Sequence, residues 1–145
     1  MIQRIQTLYL LAATILMVMT LIFPIATFYV NGEEYLLNAF NMTGPVGSES
    51  HIWMGVILVL SIVVPFVTIF LFKHRVLQIR LCAVEAVLLL GAIAFVAIHY
   101  FGMDAQDKHL GWAAIMPVLA LIPDLMAARA IFKDEVMVRS LDRIR

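Results

Sequence analysis

The sequence predicts an all-α integral membrane protein: an antiparallel four-helix transmembrane bundle with both termini cytoplasmic and a short β-hairpin in the outer loop between helices one and two. Three observations carry that prediction. Hydrophobic residues make up 63% of the 145-residue chain and charged residues 14%, against about 45–50% and about 25% in soluble domains. A chain this short cannot hide so much apolar surface in a core of its own. Four apolar runs reach the roughly 20 residues that a helix needs to cross a bilayer. Nine of the ten Lys and Arg residues then fall on one side of those runs, which marks that side as cytoplasmic.

The runs lie at 7–26, 52–72, 81–101 and 110–132, within a single four-span domain covering 1–145. The first has only Arg4 before it, is too long for a signal-peptide core and is followed by no Ala-x-Ala site, so it reads as a retained helix. Arg4, then Lys73, Arg75 and Arg80, then Arg129, Lys133, Arg139, Arg143 and Arg145 share the inner side, with Lys108 alone outside. Glu33, Glu34, Glu49, Asp104 and Asp107 lie outside, and Trp53 and Trp112 mark the outer ends of the second and fourth spans, at headgroup level. The inner connection 73–80 and the outer connection 102–109 are short enough to require antiparallel neighbours.

The outer loop, 27–51, holds one local signal. Asn31-Gly32 supplies the two positive φ angles of a type I′ turn, with β-formers on both sides. That register sets Phe28 opposite Tyr35, a favourable aromatic pair. Residues 41–48 read as turn and loop.

The ends of the chain carry a resemblance. Met1-Ile2-Gln3-Arg4-Ile5-Gln6-Thr7-Leu8-Tyr9-Leu10-Leu11 at the start, with Lys133-Asp134-Glu135 and Val138-Arg139-Ser140-Leu141-Asp142-Arg143-Ile144-Arg145 at the end, resemble a family of short four-span membrane proteins of Bacteroidetes-type bacteria, catalogued as a domain of unknown function. The resemblance implies a bacterial inner-membrane protein and brings no activity, cofactor or site residues with it.

Glu85 and Asp124 are the sharpest candidates for chemistry. Counted from the ends of their apolar runs, they lie about 6 and about 12 Å below the cytoplasmic surface on antiparallel neighbours. An ionised carboxylate at the centre of a span costs roughly 2.5–3.5 kcal/mol on insertion scales, so a cation, a proton or water must offset the charge. Arg80 and Arg129 are the available cations. Spacing i,i+5 does not stack on one helix face, so Glu85 with Arg129 and Asp124 with Arg80 are expected as readily as local pairs. Such pairs make an interhelical lock; the alternative is a proton or cation relay. Pro117 and Pro123, the latter beside Asp124, each remove a backbone donor, a feature found at ion sites and also in plain membrane helices. Pro65 argues only for a bend.

His51, His99 and His109 fall near the outer rim, but they lack the i,i+4 spacing of a metal motif and serve only as weak metal candidates. His74 belongs with Lys73 and Arg75 in the inner basic group. The tail, 133–145, carries Met137, Leu141 and Ile144 at i,i+4,i+7 beside Arg139 and Arg143, a surface for lipid or a partner. Glu135 and Arg139 form a well-ordered i,i+4 pair, and Ile2 and Ile5 make a smaller stripe beside Arg4. The single Cys82 excludes an internal disulfide and any Cys-x-x-Cys redox pair. No Ser/His/Asp set, phosphate loop or His-Glu-x-x-His motif is present, and the zero net charge points away from nucleic acid. The expectation is a non-catalytic membrane protein without cofactor: a subunit, scaffold or assembly partner set in lipid beside a protein partner or a second copy. The alternative is a small oligomeric proton- or cation-coupled transporter using Glu85 and Asp124.

Overall fold

A computed structural model describes the backbone of residues 2–142 and the side chains of residues 5–141. The elements run α1 (Ile2–Ile22), β1 (Ala26–Val30), β2 (Glu33–Leu37), β3 (Asn41–Gly44), β4 (Gly47–Ser50), α2 (Ile52–Phe70), α3 (Arg75–Gly102), β5 (Asp107–Leu110) and α4 (Trp112–Asp142). Among the described residues, four helices are long and apolar enough to cross a membrane. Each packs on its neighbour in sequence, and α1 closes the ring against α4.

The buried positions explain the packing. They fall at Gln6, Leu10, Ala13, Met17 and Thr20 in α1, and at Met54, Leu58, Ser61, Pro65 and Thr68 in α2. In α3 they are Gln78, Cys82, Glu85, Leu89, Ala92 and Val96; in α4 they are Ala113, Pro117, Ala120, Asp124, Ala127 and Ile131. Thr14, Gly55 and Ala114 are buried beside these rows, and along the rows themselves the steps alternate three and four, the 3.5-residue repeat of left-handed bundle packing. Small residues dominate the α4 seam and let the backbones approach. The outer surface is apolar instead: Phe101 is 79% exposed and Trp112 83%. With lipid-like surface all round, polar residues rather than hydrophobic ones mark the inward face. Thr14, Thr20 and Thr68 donate to the carbonyls four residues earlier, at 2.8, 3.1 and 2.7 Å. Gln78 Nε2 donates to the Thr68 carbonyl at 2.9 Å, tying α2 to α3.

One end of the bundle carries a five-stranded antiparallel sheet in the order β4-β3-β2-β1-β5. The expected hairpin forms its centre: Phe28 pairs with Tyr35, with Asn31 at φ 54° and Gly32 at φ 81°. The loop expected at 41–48 is instead β3 and β4, and the outer connection at 102–109 supplies β5. These strands lack strand-forming composition of their own and are held by the register they borrow, Leu37 against Met42 and Thr27 against His109. Gly44 lies under the Tyr35 ring, where a Cβ would collide. Ile25, Ala26, Phe28 and Leu37 are wholly buried and join Met17 and Met54 in one core, so the sheet caps the bundle. Lys108 Nζ donates to the Tyr100 carbonyl at 3.0 Å, serving a free carbonyl at the end of α3.

The helix bounds shift from the apolar runs, α1 spanning Ile2–Ile22 rather than 7–26. Helix α3 begins at Arg75 rather than at 81, because residues 71–74 suffice for the turn: Leu71 N–H donates to Thr68 O and His74 N–H to Leu71 O. Helix α4 continues through the tail to Asp142, carrying the Glu135–Arg139 pair at 2.8 Å. Met137, Arg139 and Leu141 are exposed there. Arg143 and Ile144, with Arg145 and the side chains of Ile2 and Arg4, lie outside the described residues.

Candidate functional site

The α3–α4 seam places the two acids at one level. Arg75 Nη1 meets Asp134 Oδ2 at 3.1 Å, which fixes the antiparallel register. Glu85 lies ten residues after Arg75 and Asp124 ten residues before Asp134, so the carboxyl groups stand together about 15 Å in from that bridge. Each residue is 1% exposed, and the Asp124 carboxyl lies within electrostatic reach of Glu85.

Ser61 belongs to the same level. It precedes Thr68 by seven residues, as Glu85 follows Gln78 by seven, and the Gln78–Thr68 bond aligns the two helices. Cys82 lies one turn away, its thiol against Asp124 but outside hydrogen-bond geometry. All four carboxyl oxygens and the Ser61 hydroxyl are buried without a hydrogen-bond partner among the described residues.

The expected arginine pairs do not form. Among the described residues the ion pairs are Arg75–Asp134 and Arg139–Glu135, while Arg80 and Arg129 are exposed. The reason is angular. Each arginine stands five residues, about 140° of helix rotation at 3.6 residues per turn, from its own acid. When the acids turn into the seam, the arginines turn out of it. The arrangement is therefore a like-charge pair in an apolar layer, with a hydroxyl and a thiol nearby and no cation among the described residues. Such a layer can hold a proton between carboxyl groups or accept a small cation on oxygen. Pro65 and Pro117 are buried in the seams, while Pro123 beside Asp124 is half-buried.

The outer histidines divide. His51 precedes α2, and its ring centroid lies 4.6 Å from that of His99, which stacks on Phe95 at 4.5 Å. His99 Nδ1 donates to the Phe95 carbonyl at 3.0 Å, because a carbonyl can only accept. Burial pushes the His51 imidazole below its ordinary value near 6.5, the charge of His99 adds to that, and Glu49 opposes it. His109 stands on β5 against Tyr29, with ring centroids 5.9 Å apart, on the opposite side of the sheet order from β4, the strand that leads into His51. Among the described residues no three groups come together to hold a metal ion.

Sequence reasoning found both acids and missed the company they keep. Ser61 and Cys82 were legible only through the 3.5-residue spacing of the seams. Comparison with curated proteins finds no match. The family pattern described as a domain of unknown function (DUF4293) matches residues 2–144, and the chain belongs to that family.

Proposed function

We propose that this protein is a multi-pass protein of the bacterial inner membrane, both termini cytoplasmic, that binds and releases a proton at the Glu85–Asp124 pair in proton- or cation-coupled transport by an oligomer. One observation carries the reading: two carboxyl groups share a sealed level of the bundle with no basic partner among the described residues. Two ionised carboxylates at one level of low dielectric repel each other, and a single one is already costly there. A shared proton removes that conflict, and its exchange gives the site something to do. Pro65, Pro117 and Pro123 lie inside the helices that form this level, and each removes a backbone donor of the kind missing at ion sites. Without an arginine partner, the reading as an interhelical lock loses its counter-charge.

The test is reconstitution in liposomes containing a pH-sensitive dye. Imposed sodium, potassium and pH gradients should move protons through the native protein, and Glu85→Gln with Asp124→Asn should abolish the movement while the fold survives. Equal dye responses in native and doubly substituted protein, or none under any gradient, would remove the reading. Orientation is checked separately: a reporter active only outside the cytoplasm should work at Gly44 or Asp107 and fail at Arg75.

A second reading is a non-catalytic subunit or assembly partner of a membrane complex. What favours it is the sheet, whose edge strand β4 is exposed along its whole length, a template for pairing with another chain. Purification from native membrane in mild detergent should then bring down a stoichiometric partner.

A further inference from the structure

The end of the bundle away from the sheet carries a groove of about 650 Å³ between the α2–α3 turn and the extension of α4. Lys73, Arg75 and Arg80 line it from one side and Glu135 from the other. The acids there are already answered: Asp134 by Arg75 at 3.1 Å, and Glu135 by Arg139 at 2.8 Å. Lys73 and Arg80 are exposed and have no carboxylate partner among the described residues. The groove therefore presents a net positive charge that the described residues do not neutralise.

Its walls are amphiphilic. Val76 and Leu77 line it and are each 42% exposed, and Phe72 beside them is 52% exposed. The apolar stretch of α3 begins at this height, so cations and bare apolar side chains meet where a bilayer's phosphates would meet its acyl chains. A free anion would use only the cations. An amphiphile with an anionic head uses both halves.

We propose that this groove binds the phosphate headgroup of an anionic phospholipid, Lys73 and Arg80 holding the phosphate while Val76 and Leu77 receive the first methylenes of its chains. Arg75 is a positioning residue, since its bond to Asp134 keeps α4 in place as the far wall. The site stands apart from the Glu85–Asp124 level and does not depend on what that level does.

The experiment uses the full chain in a mild non-ionic detergent, titrated with short-chain phosphatidylglycerol and followed by thermal unfolding. Short-chain phosphatidylcholine and inorganic phosphate are run in parallel. Phosphatidylglycerol should raise the unfolding temperature saturably, with little response to the other two. Lys73→Gln with Arg80→Gln should weaken the apparent affinity roughly twenty- to thirtyfold, from about 1 kcal/mol per basic residue. Arg129→Gln with Lys133→Gln removes the same charge from a different groove at the same end and should leave the affinity unchanged. An equal loss in both double variants, or a response to phosphatidylcholine matching that to phosphatidylglycerol, overturns the site. Saturation by inorganic phosphate alone overturns the lipid as its occupant. The phosphatidylglycerol response of the native protein is the reference, so a variant that fails to fold is replaced by Lys73→Gln alone, for which about a fivefold loss is expected.

Discussion

Two levels of the α3–α4 seam carry ionisable pairs, and they solve the same problem in opposite ways. At the end of the seam, Arg75 and Asp134 have opposite charges and side chains 26% and 13% exposed. Ten residues further in, Glu85 and Asp124 have the same charge and are each 1% exposed. The outer pair is neutral through its partner and keeps access to solvent. The inner pair has no such partner among the described residues, so its charge is limited by protons or by a bound ion. Helix angle sets which side chains face the seam at each level, and depth adds to it, because a guanidinium can reach water from the first position and not from the second.

The largest effect should come from breaking the outer pair. Arg75→Leu leaves Asp134 partly buried and unpaired, at an expected cost of about 1.5–3 kcal/mol for a charge-assisted bond. Arg75→Leu with Asp134→Leu should recover most of the loss, as read by thermal unfolding in one detergent. The inner pair should respond less. Glu85→Gln or Asp124→Asn replaces a carboxyl with a neutral group of the same shape, and the change should stay below about 1 kcal/mol, as for neutral hydrogen bonds. A loss above about 3 kcal/mol, the range of a broken buried ion pair, would show that a cation does neutralise the acids. The smallest effect tests ionisable groups outside the seam. Because His51 is held below its unfolded value near 6.5, the unfolded state binds more protons as pH falls past that value. Stability should therefore be full above about pH 6.5 and decline as pH drops through it, and His51→Gln should flatten that slope.

Legibility followed the range of the forces involved. Asn31-Gly32 and its flanks were readable because a type I′ turn is specified by two adjacent residues. Strands β3, β4 and β5 were not, because Asn41–Gly44, Gly47–Ser50 and Asp107–Leu110 are strands only by virtue of a neighbour already in place. The acids stood out as charges in apolar runs. Their partners were misjudged because sequence distance was weighed without the seam: Gln78, Cys82, Glu85, Leu89, Ala92 and Val96 fix which face of α3 turns inward, and Arg80 is not on it. In a helix apolar on every side, that face is written by its polar residues.

Strand β5 has a mechanical consequence. It pairs with β1, and Gly111 N–H donates to the Ile25 carbonyl at 2.9 Å, with the backbones so close that a Cβ at Gly111 would strike Pro24 and Ile25 oxygens. The end of α1 and the start of α4, some ninety residues apart in the chain, are thus riveted at the sheet. Helix α4 runs 31 residues from that rivet, a lever of about 46 Å at 1.5 Å per residue. A small tilt at the sheet becomes a displacement several times larger at Glu135 and Arg139. The Glu85–Asp124 level sits partway along the arm, between the rivet at the sheet and the Arg75–Asp134 bridge that holds the far end of α4 to α3.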